Sequence, residues 1–380
     1  MTRTITTIEL LGFRASDKTV WVFLRVADSA GAVGWGEATL AGQESQLAAA
    51  HAKLEPALRG TAADSRRNLL IEFGATVSDR ATAAIVSAVD QALWDLDGQH
   101  AGTALHVMLG ANPRSQVPLY ANINRRTRTR TPDGFAASAQ KAMADGFGTF
   151  KIAPFDGVAP GSASGAEHGL ACARAVRDAI GPARALYVDC HWRFDEANAV
   201  NALDALAEIG IGWFECPLPE RPENFAALGR LRKKANARGI LLAGCETETA
   251  LAGFMPYIER GLYDVLMPDV KYAGGLAEMA RLSNYAARHG VAIAPHNPSG
   301  PISHAYSLHL GATLAGFSTL EHQYDETPAF FDIATGDLPR PINGASRLPG
   351  TEGLGVGLDQ AALTDIGSTT RGAHERETAG

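Results

Sequence analysis

The sequence has few cysteines, no long hydrophobic run and no excess of positive charge. Only 4 of its 380 residues are cysteine, which disfavours a disulfide framework. No apolar run approaches the roughly 18 residues that a membrane span needs, and the first residues, 1–4, lack the apolar core of a signal peptide. The net charge of −7 disfavours a nucleic-acid-binding surface. We therefore expect a cytoplasmic protein without a nucleic-acid or membrane partner.

The first 116 residues have the pattern of an α+β domain. Three strands are predicted at Ile5–Leu11, Val20–Val26 and Gly34–Ala38, and helical patterns follow at 43–58, 64–72 and 80–97. Strands followed by helices are typical of an α+β arrangement. We predict a capping domain at residues 1–116.

From Val117 the pattern changes to alternating strands and helices. Eight strands are predicted at 117–123, 148–153, 185–190, 211–215, 240–245, 262–267, 291–295 and 316–321. This count predicts an α/β fold with a (β/α)8 TIM-type barrel at 117–345. The C-terminal segment, 346–380, is expected to return to the capping domain and complete it, and the polar stretch from Ser368 to Gly380 is expected to be disordered.

Three acidic residues end three consecutive predicted barrel strands. Asp189, Glu215 and Glu246 are 26 and 31 residues apart, which is the length of one strand-plus-helix unit. In a barrel they would converge at the C-terminal mouth. Three carboxylates there would repel one another without a cation, and oxygen donors suit Mg²⁺. We predict that these residues bind Mg²⁺, although unrelated helix caps or ion pairs could also place acids at strand ends.

Three cysteines lie beside these carboxylates. Strand alternation is expected to turn Cys190, Cys216 and Cys245 away from the mouth and toward the helix layer. We interpret them as small core residues rather than ligands of zinc or an iron–sulfur cluster.

Further ionisable residues fall at the other predicted strand ends. Lys151 lies on strand two near its C-terminal end, and could bind a substrate carboxylate or act as a base. Asp269 and His296 end the neighbouring strands six and seven, where the carboxylate could orient the imidazole as a general base. His191 is expected to share a strand face with Asp189, and Glu321 ends strand eight. Together they favour abstraction of a proton α to a carboxylate, with a divalent cation stabilising the resulting charge.

The sequence resembles the enolase superfamily, in its mandelate racemase-like branch. The resemblance spans nearly the whole chain. It includes Gly34-Trp35-Gly36-Glu37, Ala92-Leu93-Trp94-Asp95, the three strand-end acids, Pro268-Asp269 with Gly274-Gly275, and Ala294-Pro295-His296 with Gly300-Pro301. It implies that the strand-end acids are Mg²⁺ ligands and that Asp269 and His296 form the base dyad.

Within that branch the site resembles those of acid-sugar dehydratases of the galactonate type. Racemases of the branch usually carry a second strand-two lysine, where this sequence has Ala153. The resemblance implies that His296 takes the C2 proton of an acid-sugar substrate, that His191 protonates the departing C3 hydroxyl, and that Glu321 contacts the substrate. The product would be a 2-keto-3-deoxy acid, and a homo-oligomer is expected by family analogy.

Other functions remain open at this stage. Lys271, two residues beyond Asp269, could contact the substrate or replace His296 as the base. The reaction would then be racemisation, epimerisation or lactone cycloisomerisation of a carboxylate. A barrel that has lost catalysis and only binds a partner is a third possibility. Substrate specificity is expected in the loops Phe13–Val20 and Thr39–Gln43. The arginine-rich segment at 125–130 could bind a distal carboxylate, or form a solvated loop or a subunit contact.

Overall fold

The N-terminal region forms an antiparallel sheet covered by helices. The computed structural model describes residues 2–65, 67–73, 79–110, 112–161, 166–350 and 352–367. The sheet begins with β1 (Ile5–Arg14), β2 (Val20–Asp28) and β3 (Val33–Glu37). The helices that follow are α1 (Glu44–Leu58), α2 (Leu69–Phe73), α3 (Arg80–Ala101) and α4 (Leu105–Leu109). Their apolar faces meet in a core of their own that includes Leu24, Leu47 and Leu93.

The next eight strands form a parallel barrel. They are β4 (Gln116–Asn122), β5 (Thr149–Ile152), β6 (Ala185–Asp189), β7 (Trp213–Glu215), β8 (Leu241–Gly244), β9 (Val265–Leu266), β10 (Ala292–Ile293) and β11 (Leu320–Gln323). Each pairs in parallel with the next from β4 to β10, and β11 pairs with β4. A parallel bridge between Ile293 and Phe317 closes the ring between β10 and the segment before β11. The TIM-type barrel is therefore confirmed.

Seven helices alternate with these strands in the part of the chain that the structure describes. They are α5 (Pro132–Ala144), α6 (Ala166–Ile180), α7 (Glu196–Ile209), α8 (Phe225–Asn236), α9 (Ala250–Glu259), α10 (Leu276–Arg288) and α11 (Pro301–Thr313). Their buried faces pack on the outward-facing strand residues in one large core. In the described ranges, no helix is both long and apolar enough to cross a bilayer.

The chain after the barrel contributes to both units. It contains α12 (Ala329–Asp332), β12 (Ala334–Gly336), β13 (Ala345–Arg347), β14 (Val356–Leu358) and β15 (Thr364–Asp365). The strand β13 pairs with β4 of the barrel, whereas β15 pairs with β1 of the N-terminal sheet. The C-terminal segment thus completes the capping domain, and the stretch from Ser368 to Gly380 lies outside the described residues.

The barrel interior beneath the mouth is filled by aromatic side chains. Tyr187 and Trp213 stack with ring centroids 4.2 Å apart, and Tyr120 meets Trp213 edge-on at 5.7 Å. Smaller residues from the later strands, including Ala243 and Ala294, complete this layer. Because the layer blocks the barrel axis, substrate access is confined to the mouth formed by the C-terminal strand ends.

Polar groups of the capping domain dock on the barrel helices. The Glu37 carboxylate accepts hydrogen bonds from the backbone N–H groups of Gly300 (2.7 Å) and Ser303 (2.8 Å) at the start of α11. Asp90 of α3 accepts one from Leu276 N at the start of α10, at 2.8 Å. Gly275 has φ +89°, and a Cβ there would lie 2.1 Å from the Asp90 carboxylate. The glycine pair before α10 therefore permits close approach of the cap.

Candidate active site

A cavity of about 380 Å³ lies at the C-terminal ends of the barrel strands. Seven of the residues predicted for the site line it: Lys151, Asp189, His191, Glu246, Lys271, His296 and Glu321. The other two, Glu215 and Asp269, are fully buried and hydrogen-bonded to residues of that lining. The structure thus brings the predicted residues together at one mouth.

Asp189 and Glu215 are direct neighbours at the ends of β6 and β7. Their Cα atoms are partners in the strand register, and both side chains are buried. Burial raises the pKa of Glu215 well above its usual value, although the Lys151 ammonium opposes this effect. Glu246 lies two residues beyond the end of β8 and lines the cavity with Asp189. Among the described residues, the possible ligand atoms that all lie within 4.8 Å of one another come from Asp189, Glu215 and Cys216, and Glu246 is not in this group.

All three cysteines are buried, as expected, but the predicted direction is wrong for Cys216. Cys190 and Cys245 belong to the core between strands and helices, as expected. Cys216 instead holds its sulfur beside the Asp189 and Glu215 carboxylates. Its φ of +43° breaks the strand alternation on which the prediction depended. Burial raises the pKa of its thiol well above the usual value, and a protonated thiol is a poor metal ligand.

His191 lies beside Asp189, but a turn rather than a shared strand face brings them together. The strand β6 ends at Asp189, and His191 has φ +45°. The Asp189 carboxylate accepts a hydrogen bond from His191 N at 2.9 Å and lies 2.8 Å from the ring Nε2. The other ring nitrogen, Nδ1, is 2.5 Å from Asp156. Burial lowers the pKa of His191, but Asp189 and Asp156 outweigh this and hold it well above its usual value.

Lys151 forms two buried ion pairs across the mouth. Its Nζ lies 2.8 Å from Glu215 Oε1 and 2.8 Å from Glu321 Oε1. Burial lowers the pKa of Lys151, but these two carboxylates outweigh it and hold the pKa well above its usual value. Lys151 is therefore a fixed cation in this arrangement, which suits charge compensation better than proton abstraction.

Trp213 and Asn122 complete the hydrogen bonding of these carboxylates. The Trp213 indole Nε1 donates to Glu215 Oε2 at 2.7 Å. The Asn122 amide donates to Glu321 Oε1 at 2.6 Å, and Asn297 N donates to Glu321 Oε2 at 2.7 Å. Trp213 and Asn122 were not among the predicted site residues. Trp213 stands two residues before Glu215 on the same strand, so strand periodicity could have found it.

Asp269 connects His296 and Lys271. Its Oδ2 lies 2.8 Å from His296 Nδ1 and 2.5 Å from Lys271 Nζ, and Lys271 Nζ also contacts Ser299 Oγ. Burial raises the pKa of Asp269, but Lys271 and His296 outweigh it and lower the pKa below its usual value. Burial lowers the pKa of His296, but Glu246 and Asp269 outweigh it and raise the pKa. Because Asp269 engages Nδ1, the other ring nitrogen of His296, Nε2, is free to contact a ligand in the cavity. This Nε2 lies 3.6 Å from Glu246 Oε2.

The two predicted specificity loops reach the mouth. Thr19 from the first loop and Thr39, Leu40 and Gln43 from the second line the cavity. Glu326 holds the first loop, because its Oε1 accepts hydrogen bonds from Ser16 Oγ (3.0 Å) and Thr19 Oγ1 (2.7 Å).

The arginine-rich segment after β4 is largely engaged within the protein. Arg125 contacts Thr19 and lies 3.6 Å from Glu326. Arg126 pairs with Asp325. Arg130 pairs with Asp156 at 2.8 Å and also donates to backbone carbonyls. Of the segment's four arginines, Arg128 is exposed and the other three are half-buried.

The donors at the mouth fit a hard divalent cation. Asp189, Glu215 and Glu246 supply buried carboxylate oxygens, the ligand type that such cations prefer. Within the described ranges, Glu246 Oε2 is buried without a hydrogen-bond partner. This oxygen lies 3.6 Å from His296 Nε2, beyond hydrogen-bond distance, and a cation would compensate a buried carboxylate oxygen left in this way.

Comparison with known proteins agrees with this arrangement. Residues 134–362 match the family model "Enolase C-terminal domain-like", and residues 6–110 match the N-terminal domain of mandelate racemase / muconate lactonizing enzyme. A D-galactarolactone cycloisomerase from Agrobacterium fabrum is 31% identical over 290 residues, covering 74% of this chain and 73% of the relative. A D-galactonate dehydratase from Ralstonia nicotianae is 28% identical over 91% of this chain and 90% of its own length.

A solved structure shares the same fold. The mandelate racemase/muconate lactonizing enzyme from Jannaschia sp. CCS1 superposes with a TM-score of 0.82 at 25% identity, covering 94% of this chain and 96% of that one. The protein is an enzyme of the enolase superfamily and belongs to its mandelate racemase/muconate lactonizing family.

Proposed function

We propose that this enzyme uses Mg²⁺ to abstract the proton α to a carboxylate, and that it dehydrates a sugar acid to a 2-keto-3-deoxy acid. The observation that carries the proposal is the His296–Asp269 pair, which faces the same cavity as the predicted metal ligands Asp189 and Glu246. When bound there, the cation would stabilise the charge that develops on the substrate carboxyl group.

His296 is the proposed general base. Asp269 at Nδ1 fixes the ring orientation and tautomer, so Nε2 is available to take the C2 proton. Lys151, held between Glu215 and Glu321, places a positive charge at the same mouth. That charge can attract the substrate carboxylate and orient the C2–H bond toward the base.

His191 is the proposed general acid. Its contacts with Asp189 and Asp156 favour the protonated ring. In the elimination, the C2–H electrons form the C2–C3 double bond and the C3–O bond breaks. The hydroxyl takes a proton from His191 and leaves as water, and the enol then tautomerises to the keto acid. His296 and His191 thus act on opposite ends of one elimination.

The composition of the cavity wall supports a polyhydroxylated substrate. Besides the ionisable residues, the wall contains the neutral hydrogen-bonding side chains Thr19, Thr39, Gln43, Asn122 and Asn124. Few hydrocarbon side chains line it, so an aromatic or alkyl acid would leave many polar groups unpaired. The names of the two relatives, a galactonate dehydratase and a galactarolactone cycloisomerase, agree with an acid-sugar substrate.

A second candidate is epimerisation or lactone cycloisomerisation with Lys271 as the base. Lys271 is buried, lines the cavity and shares Asp269 with His296. Its Nζ contacts both Asp269 and Ser299, whereas the Nε2 atom of His296 is not engaged by Asp269. Dehydration with His296 as the base is therefore the better supported of the two.

The test is a screen of acid sugars with Mg²⁺ for release of keto acid. We expect at least one sugar acid to give a 2-keto-3-deoxy acid, and EDTA to stop the reaction. Inversion at C2 without keto-acid release would instead support epimerisation. Turnover that persists in EDTA would remove the metal from the mechanism.

A further inference from the structure

Gln323 occupies a position at the mouth that the proposed mechanism does not use. It is the last residue of β11, two residues after Glu321 and therefore on the same strand face. Its Cα is the register partner of Asn122 on β4. The side chain is only 4% exposed and lines the active-site cavity.

Both polar atoms of the Gln323 amide are buried without a partner. In the described part of the chain, neither Oε1 nor Nε2 has a hydrogen bond. Its neighbours differ, because the Asn122 amide and both oxygens of Glu321 are bonded. An unsatisfied buried amide is destabilising, so such a group is usually completed by water or ligand. One donor and one acceptor side by side match a hydroxyl group, which both accepts and donates.

A second cavity of about 360 Å³ adjoins Gln323 on the outer side of β11. Two more buried groups on its wall, Trp21 Nε1 and His322 Nδ1, have no hydrogen-bond partner among the described residues. Burial lowers the pKa of His322 to about 4, so its ring is neutral at neutral pH. The unsatisfied polar atoms around Gln323 therefore belong to uncharged groups.

Most of the carboxylates around this outer cavity are already compensated. Asp145 pairs with Lys141, Asp325 pairs with Arg126, and Glu326 lies 3.6 Å from Arg125. The Gln323 amide is therefore an uncharged polar group, at the boundary of the two cavities, that is left to bind a ligand group.

We propose that Gln323 is a specificity-determining residue that binds a hydroxyl group of the acid-sugar chain beyond the reacting carbons. The proposal rests on the acid-sugar dehydration proposed above and adds a residue that recognises the substrate. The metal-side residues hold the reacting carboxylate, and Gln323 recognises the chain distal to it.

The test compares a sugar acid that the enzyme dehydrates with analogues that lack the hydroxyl at C4, C5 or C6. We expect the wild-type enzyme to lose about tenfold in kcat/KM for one deoxy analogue, the size typical of a lost hydrogen bond. In Gln323→Met, which keeps the side-chain length but removes the amide, the parent sugar acid and that analogue should react equally well. The matched control is Gln116→Met, at an exposed position of β4 distant from the mouth.

Each result separates the two proposals. A deoxy penalty that persists in Gln323→Met would overturn the role of Gln323 and leave dehydration in place. Absence of keto acid from every sugar acid would overturn the proposed function and this inference with it. If Gln323→Met does not fold, the wild-type comparison still decides, because equal rates for the parent and all deoxy analogues contradict the proposal.

Discussion

At the scale of single residues, Glu215 shows how the fold fixes a proposed metal ligand. Its side chain is fully buried, with Oε1 held by Lys151 and Oε2 by Trp213. These contacts set the direction of the carboxylate before any cation binds. Groups that orient a ligand in this way are expected to affect metal affinity although they do not touch the metal.

Replacing Trp213 by Phe should therefore weaken divalent-cation binding. Phe keeps the stacking on Tyr187 but removes the N–H donor to Glu215. We expect roughly a 10- to 100-fold loss of affinity, measured by calorimetric titration with Mg²⁺. Trp94→Phe is the control, since Trp94 Nε1 has no hydrogen-bond partner among the described residues. An unchanged affinity in Trp213→Phe would show that this hydrogen bond does not position the ligand.

The proposed base and acid can be separated by isotope exchange. His296→Asn should abolish exchange of the C2 proton in deuterated water, because no base remains to take that proton. His191→Asn should retain part of the exchange while losing keto-acid release, because only the second half of the elimination needs the acid. Proton NMR measures the exchange, and a colorimetric assay measures the keto acid. Equal loss of exchange in both variants would contradict the separate roles.

At the scale of elements, the strand ends show what the sequence could and could not predict. The apolar strands ending in acids correctly indicated a common mouth for Asp189 and Glu215, because parallel strands align their C-terminal ends. The directions of His191 and Cys216, just beyond the strands, could not be predicted from strand alternation, since both residues adopt positive φ values. Bonds between neighbouring strand ends hold these turns, such as Trp192 N to Cys216 O at 2.7 Å. Such contacts depend on the assembled barrel, so strand alternation in one segment does not predict them.

The docking of α3 on α10 is a second feature of the elements that sequence patterns did not indicate. The Asp90 carboxylate accepts a hydrogen bond from Leu276 N at the N-terminus of α10, a helix of the barrel. Burial raises the pKa of Asp90 to about 7, with a further contribution from Glu278, although the bond from Leu276 N opposes this. The folded protein therefore holds a proton on Asp90 at pH values where the unfolded chain has released it.

This raised pKa predicts a loss of stability as the pH rises. The stabilisation from protonated Asp90 is complete below the unfolded pKa near 3.8 and is lost as the pH passes through about 7. Asp90→Asn removes this dependence, so the variant should gain stability relative to wild type between pH 5 and 8. The difference in free energy of unfolding between the variant and wild type should change by no more than roughly 1.4 kcal/mol per pH unit, measured by urea unfolding. Asp133→Asn, at an exposed position, is the control, and parallel pH profiles for Asp90→Asn and wild type would contradict the prediction.

At the scale of the whole molecule, the site depends on two units that pack together, because Trp21, Phe23 and Trp35 of the capping domain belong to the hydrophobic cluster of the barrel. The barrel supplies the ionisable residues, and the capping domain supplies loops that line the same cavity. The change to alternating strand and helix patterns near Val117 predicted this division, because the periodicity of apolar residues reflects which side of each element is buried. The domain boundaries at 116 and 345, a homo-oligomeric state and a cytoplasmic location stay predictions. Light scattering of the purified protein tests the oligomeric state.

The central claim is that Asp189, Glu215 and Glu246 bind one divalent cation together. A crystal structure of the enzyme grown with Mg²⁺ tests it most directly. We predict a single ion with octahedral oxygen coordination, at roughly 2.0–2.1 Å from a carboxylate oxygen of each residue. An ion bound through Cys216 without Glu246, or no ion at these carboxylates at saturating Mg²⁺, would contradict the account.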